Sequence, residues 1–185
     1  RQIADGSYKA DMEYVYSKLF TKEPYQSYKH LFNVSYVNVV SATEGFEYGN
    51  TALSCGFGGG TYVYGNDNAV FQYAQKVVDA SKIDETLMIV VMNSNNYAGT
   101  CFMYYPNSSG TDYGKGAAVA YFPKGESSEV FAQLLHHEAN GHGFAKLADE
   151  YAYDYMGTIS STEKTETQYM QTNWGWYKNV DFTDD

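Results

Sequence analysis

Residues 136–151 read His-His-Glu-Ala-Asn-Gly-His-Gly-Phe-Ala-Lys-Leu-Ala-Asp-Glu-Tyr. They follow a stretch in which Val130, Phe131, Leu134 and Leu135 recur at helical spacing, with Ser127 or Ser128 placed to cap its start. This pattern predicts a helix over about 128–143 running into the histidines. On a regular helix each residue advances by roughly 100°, so side chains four apart share a face and those five apart diverge by roughly 140°. His137 and His142 are five apart. In a straight α-helix they could not meet at one point.

The residue types nevertheless belong together. A His-Glu pair followed by a second His is the arrangement in which two imidazoles hold zinc and the intervening glutamate activates water. Here the spacing is longer by one residue. A π-bulge absorbs one extra residue per turn, and Asn140 and Gly141, both poor helix formers, make a distortion inexpensive at that point. With the extra residue absorbed, His137 and His142 become metal ligands and Glu138 the general base. Asp149 or Glu150 then offers a third ligand, with Gly143 letting the chain turn back toward the metal. His136 is expected to face away. The plainer alternative is a solvated ion pair, since Glu138 and His142 stand at i,i+4 spacing.

Working outward, the chain has 185 residues, 44% of them apolar and 18% charged, which suits one globular domain with its own core. A formal net charge of −10 argues against nucleic acid and anionic membrane surfaces as partners. The longest apolar run, Leu87 to Met92, is too short to span a bilayer. Cys55 and Cys101 sit in no CxxC pair, which excludes a cysteine-built zinc site. One disulfide between them and two unpaired thiols are equally open readings. The abrupt start at Arg1 fits a clipped or mature piece of a longer protein and says little about compartment.

Periodicity predicts helices over Tyr8–Phe20, from Pro24 to near His30, and over Asn66–Lys82. Strands are expected at Phe32–Val40, at Thr86–Met92 as a central strand, and at Ala117–Phe122. Residues 43–65 and 93–114 read as loops, and the chain after Tyr155 shows no clear pattern. The fold class is α/β, a mixed twisted sheet flanked by helices over the single domain 1–185.

Several blocks resemble the IgA-peptidase family of bacterial, metzincin-like zinc metallopeptidases. They are Glu23-Pro24-Tyr25, Leu31-Phe32-Asn33-Val34, Ser41 to Gly45, Thr86 to Tyr97, and His137-Glu138 with Gly141-His142 and Leu147-Ala148-Asp149-Glu150-Tyr151. The family pattern has two residues between Glu and the second His. This chain has one more, most simply Asn140. A His-Glu-three residues-His signature is similar to that of the dipeptidyl-peptidase III family, where both histidines bind zinc. The resemblance implies an exported zinc endopeptidase acting on protein or peptide, with Asp149 as third ligand and Glu150 supporting it. It also implies a Met-turn at Met156 or Met170, oxyanion support from Tyr151, Tyr153 or Tyr155, and substrate pairing along the strand Ala117–Phe122. The other reading it leaves open is a metal-binding or glycan- or protein-binding surface module whose peptidase site the insertion has impaired.

Overall fold

A computed structural model describes residues 3–43, 51–104, 116–151 and 157–182. Its centre is β5 (Ala118–Pro123), in which every residue is buried. β5 pairs in parallel with β3 (Leu87–Met92), Leu87 opposite Ala118, and antiparallel with β4 (Thr100–Met103), Thr100 opposite Tyr121. The described order is therefore β3-β5-β4. Because strand side chains alternate between faces, β5 feeds two cores. Val119 and Tyr121 join Val63, Val70, Phe71, Met88 and Val90. Ala120 and Phe122 join Val15, Leu19, Phe131, Leu134, Leu135 and Ala139. On this second face the small side chains of Ala120 and Ala139 leave room for the histidine-bearing helix to lie close to the sheet.

The helices over the second face are α1 (Ser7–Leu19), α2 (Tyr25–Tyr28, with a 3₁₀ turn at Lys29–Leu31) and α4 (Ser128–Leu134). The first face carries α3 (Asp67–Ala74), whose start is capped by the Asn66 side chain accepting from the Ala69 amide at 3.1 Å. α5 (Ser161–Trp174) lies after these elements in the chain.

Five sequence expectations need correction. Residues 32–40 form no ladder with any described residue; Val34, Tyr36 and Val40 are exposed, so the β-branched content finds no covered face to favour a strand. The glycine-rich stretch contains a hairpin, β1 (Gly56–Gly59) with β2 (Tyr62–Tyr64), turning through Gly59 and Gly60 at φ 104° and 57°. α3 stops at Ala74, short of the predicted Lys82, and a 3₁₀ helix at Ala80–Glu85 follows. β3 is an outer strand of the described sheet, β5 the inner one, and β4 lies inside the predicted 93–114 loop. The polar C-terminal region holds α5, started by a capping box in which Ser160 and Glu163 satisfy each other's backbone amides.

Both cysteines are free thiols. Cys55 belongs to the first core and Cys101 packs against the second, so the sheet separates them and no disulfide joins them. Burial pushes their pKa values up to about 11 and about 12.

Asp67 ties α3 to the sheet. Its carboxylate accepts from the Tyr121 hydroxyl at 2.5 Å and from the Tyr104 hydroxyl. Asp67→Ala removes a charged acceptor from both phenols and is expected to cost about 2–3 kcal/mol, read as a shift in the urea midpoint. An unchanged midpoint would show that the anchor is dispensable.

Candidate metal centre

The Ser127 hydroxyl oxygen accepts from the Val130 amide at 3.2 Å and starts α4 as the sequence requires. From Leu135 to Phe144 the backbone then opens into a π-helix. Its bonds span five residues, and the Ala145 amide donates to the Asn140 carbonyl at 2.9 Å. The wider turn places residues five apart on neighbouring positions of one face. Gly143 does not make the exit turn. A Cβ there would stand 2.5 Å from Leu87 Cδ1 and 3.5 Å from Cys101 Sγ, so its lack of a side chain permits close packing on β3 and β4. The chain leaves the helix at Lys146, which takes the left-handed conformation at φ 57°.

That exit brings Asp149 back to the histidines. His142 Nε2 lies 3.2 Å from His137 Nε2 and 3.1 Å from Asp149 Oδ1, and His137 Nε2 lies 3.2 Å from the same oxygen. Donors bound to zinc at 2.0–2.1 Å in a tetrahedron stand roughly 3.3 Å apart, so this triangle has the size of one face of a zinc site. The donor chemistry agrees. His142 Nδ1 is 2.7 Å from the Leu147 carbonyl, which can only accept, so the proton sits on Nδ1. His142 Nε2 is thereby turned toward Asp149 Oδ1 and His137 Nε2, so that one atom from each of the three side chains faces a common point. No other group of three such side chains gathers in this way among the described residues.

Glu138 is 5% exposed and forms no ion pair with His142; the carboxylate beside the imidazoles is that of Asp149. Burial, and secondarily the charge of Asp149, push the Glu138 pKa up to about 8. A methyl group at Gly99 would overlap the Glu138 carboxylate, so the backbone before β4 passes directly over it. The pKa of His137 is lowered by burial first and by His142 second, against the pull of Asp149. These groups open onto a cleft of about 280 Å³ walled by Thr61 and Tyr62 of the hairpin, Gly99 to Cys101 and Tyr151.

The remaining expected residues fall as follows. Tyr151 lines the cleft, its ring 6.3 Å from that of His137 and nearly parallel to it. Glu150 lies outside the triangle and accepts from Asn179 Nδ2 at 3.1 Å. Met170 sits in the last turn of α5 and does not line the cleft. Met156, Tyr153 and Tyr155 lie outside the described residues. His136 faces away as expected, toward Thr21. Sequence reasoning missed Gly99 and Asn179. Asn179 brackets Ala148, accepting from its amide at 3.0 Å and donating to its carbonyl at 2.8 Å, while the Tyr177 amide bonds the Lys146 carbonyl at 2.8 Å. A C-terminal strap therefore holds the segment that delivers Asp149. A Gly opening a strand was a readable sign of close backbone approach; an asparagine in a polar tail carried no such sign.

The family described as IgA Peptidase M64 matches residues 3–181, nearly the whole chain, and the protein belongs to that peptidase family. Comparisons with curated proteins and with solved structures found no match.

Gly99→Ala should shift Glu138 without touching the three donors. Expected is a loss of peptidase turnover of about ten- to a hundred-fold with metal affinity unchanged; unaltered turnover would show that the contact is slack. Lys146 gives a pH test. Burial lowers its pKa to about 8 from 10.5. Between those values the folded chain binds fewer protons than the unfolded one, so this group's contribution to stability rises with pH. In urea unfolding with chelator present, the wild type should gain on Lys146→Met from pH 8 to 10.5. A constant difference would contradict the shift.

Proposed function

We propose that this member of the IgA peptidase M64 family is a zinc-dependent endopeptidase, with His137, His142 and Asp149 holding the ion and Glu138 acting as general base. The observation that carries the reading is the convergence of three metal-binding atoms, each within 3.2 Å of the others, beside a buried glutamate. Zinc in such a site lowers the pKa of water to about 7 and polarises a carbonyl.

Glu138 supplies the proton transfer. Burial favours its protonated form in the metal-free chain; a cation held beside it would favour the carboxylate, which would take a proton from water and return it to the leaving amine. Tyr151, whose ring lies 6.3 Å from that of His137, would meet the charge that develops on the carbonyl oxygen. Substrate pairing cannot occur along Ala117–Phe122, because β5 has a strand on each side. The outer strand β4 takes that role. The Tyr104 amide bonds the Ala117 carbonyl at 2.9 Å, so by alternation Phe102 and Thr100 bond inward and Cys101 turns its amide and carbonyl to the outer edge, next to the Gly99 amide, which bonds the Thr61 carbonyl of the hairpin at 3.0 Å. Cys101 also lines the cleft, and an extended peptide pairing there runs past the donors.

No helix among the described residues is long and apolar enough to cross a membrane. Export from a bacterial cell follows from the family reading alone, since the free cysteines lend it no disulfide.

Glu138→Gln should retain one zinc per chain while cleavage of a denatured protein falls by about 10²–10⁴-fold. Chelation should abolish cleavage by the wild type, and zinc should restore it. Undiminished cleavage by the variant sinks the mechanism; retained zinc with no turnover by the wild type favours an impaired binding module.

A further inference from the structure

The residue that breaks the usual histidine spacing is itself firmly held. Asn140 is 4% exposed. Its Nδ2 donates to the Leu19 carbonyl at 3.0 Å and lies 3.3 Å from His136 Nδ1. His136 Nε2 lies 3.2 Å from Thr21 Oγ1, and the Thr21 hydroxyl donates to the Lys18 carbonyl at 2.8 Å. The Asn140 carbonyl accepts twice, from Ala145 within the π-helix and from the Tyr25 hydroxyl at 2.6 Å.

Only one set of proton positions satisfies this chain. The Thr21 hydrogen is committed to Lys18, so Thr21 Oγ1 must accept from His136 Nε2–H. His136 Nδ1 is then a lone pair and accepts from Asn140 Nδ2. Each link fixes the next, and the Leu19 carbonyl at the end of α1 is satisfied on the way. The Asn140 Oδ1 atom is buried without a partner, so the side chain is held by its amide hydrogens alone.

We infer that Asn140 is a positioning residue for the metal centre: its amide, through His136 and Thr21, pins the inserted residue to the end of α1 and so holds the wide turn that brings His137 and His142 together. The inference rests on the metal reading above. A wide turn is poorly populated on its own, and an unpinned extra residue could be accommodated at other positions of the helix. Pinning it on the α1 side leaves the opposite side, with His137 and His142, in one register.

Three measurements test this. In metal-free protein, ¹⁵N NMR should show His136 as the Nε2–H tautomer; an Nδ1–H tautomer overturns the network whatever the metal does. Asn140→Ala should weaken zinc binding, measured by competition with a chromophoric chelator, by about ten- to a hundred-fold, as for other groups that orient ligands. It should also alter the visible absorption of the cobalt-substituted protein. Val15→Ala, a core substitution on α1, serves as the control: it should lower the melting temperature and leave the cobalt spectrum unchanged. Should Asn140→Ala fail to fold, Thr21→Val, which keeps the shape and removes the last link, should shift the cobalt spectrum in the same direction. Wild-type zinc affinity and spectrum in folded Asn140→Ala, or in Thr21→Val where that stands in for it, overturn the inference. A wild type that binds no zinc overturns the metal reading first, and this inference with it.

Discussion

One wide turn governs this molecule. Between Leu135 and Phe144 the backbone bonds span five residues in place of four, and through that change alone two imidazoles set five apart come within 3.2 Å of each other. A regular helix would separate them by roughly 140° and leave Asp149 facing a single histidine. Everything chemical in the cleft depends on the turn: the triangle of donors, the burial of Glu138 between helix and sheet, and the exit at Lys146 that returns Asp149.

The wide turn is held from three directions. Below it, Leu135 and Ala139 pack on Ala120 and Phe122 of β5, while Gly143 admits Leu87 and Cys101 at van der Waals distance. On its α1 side, Asn140 and Tyr25 bond it to the first helices. Beyond its end, Asn179 and Tyr177 clamp residues 146–150. Lys146 closes the last turn, its ammonium donating to the Gly116 carbonyl at 2.8 Å and to that of Gly143 while lying over the Trp176 ring.

Much of the site could be read from residues 136–151 because its chemistry is local. His137, Glu138, His142 and Asp149 stand out by type, whereas the distortion expected locally at Asn140-Gly141 runs over the whole of Leu135–Phe144. What could not be read was long-range. Nothing near Asn179 or Thr21 signals that they support a centre more than a hundred residues away for one and some thirty for the other. The fold shows the same division. α1, β5 and α4 follow from periodicity and capping, since their apolar positions match their buried faces. Residues 32–40 have strand-like composition but form no ladder with a described residue, and β4 was hidden because its four residues sit in a polar stretch and take strand character from pairing with β5. The order of strands among the described residues is a property of that pairing and not of any one segment.

The most direct measurement is a zinc-soaked crystal structure with anomalous data collected at the zinc edge. It should show one ion per chain bonded to His137 Nε2, His142 Nε2 and one oxygen of Asp149, with bond lengths of about 2.0–2.2 Å. A fully folded chain that binds no ion at this position, or binds it through only one of the two histidines, would contradict the reading.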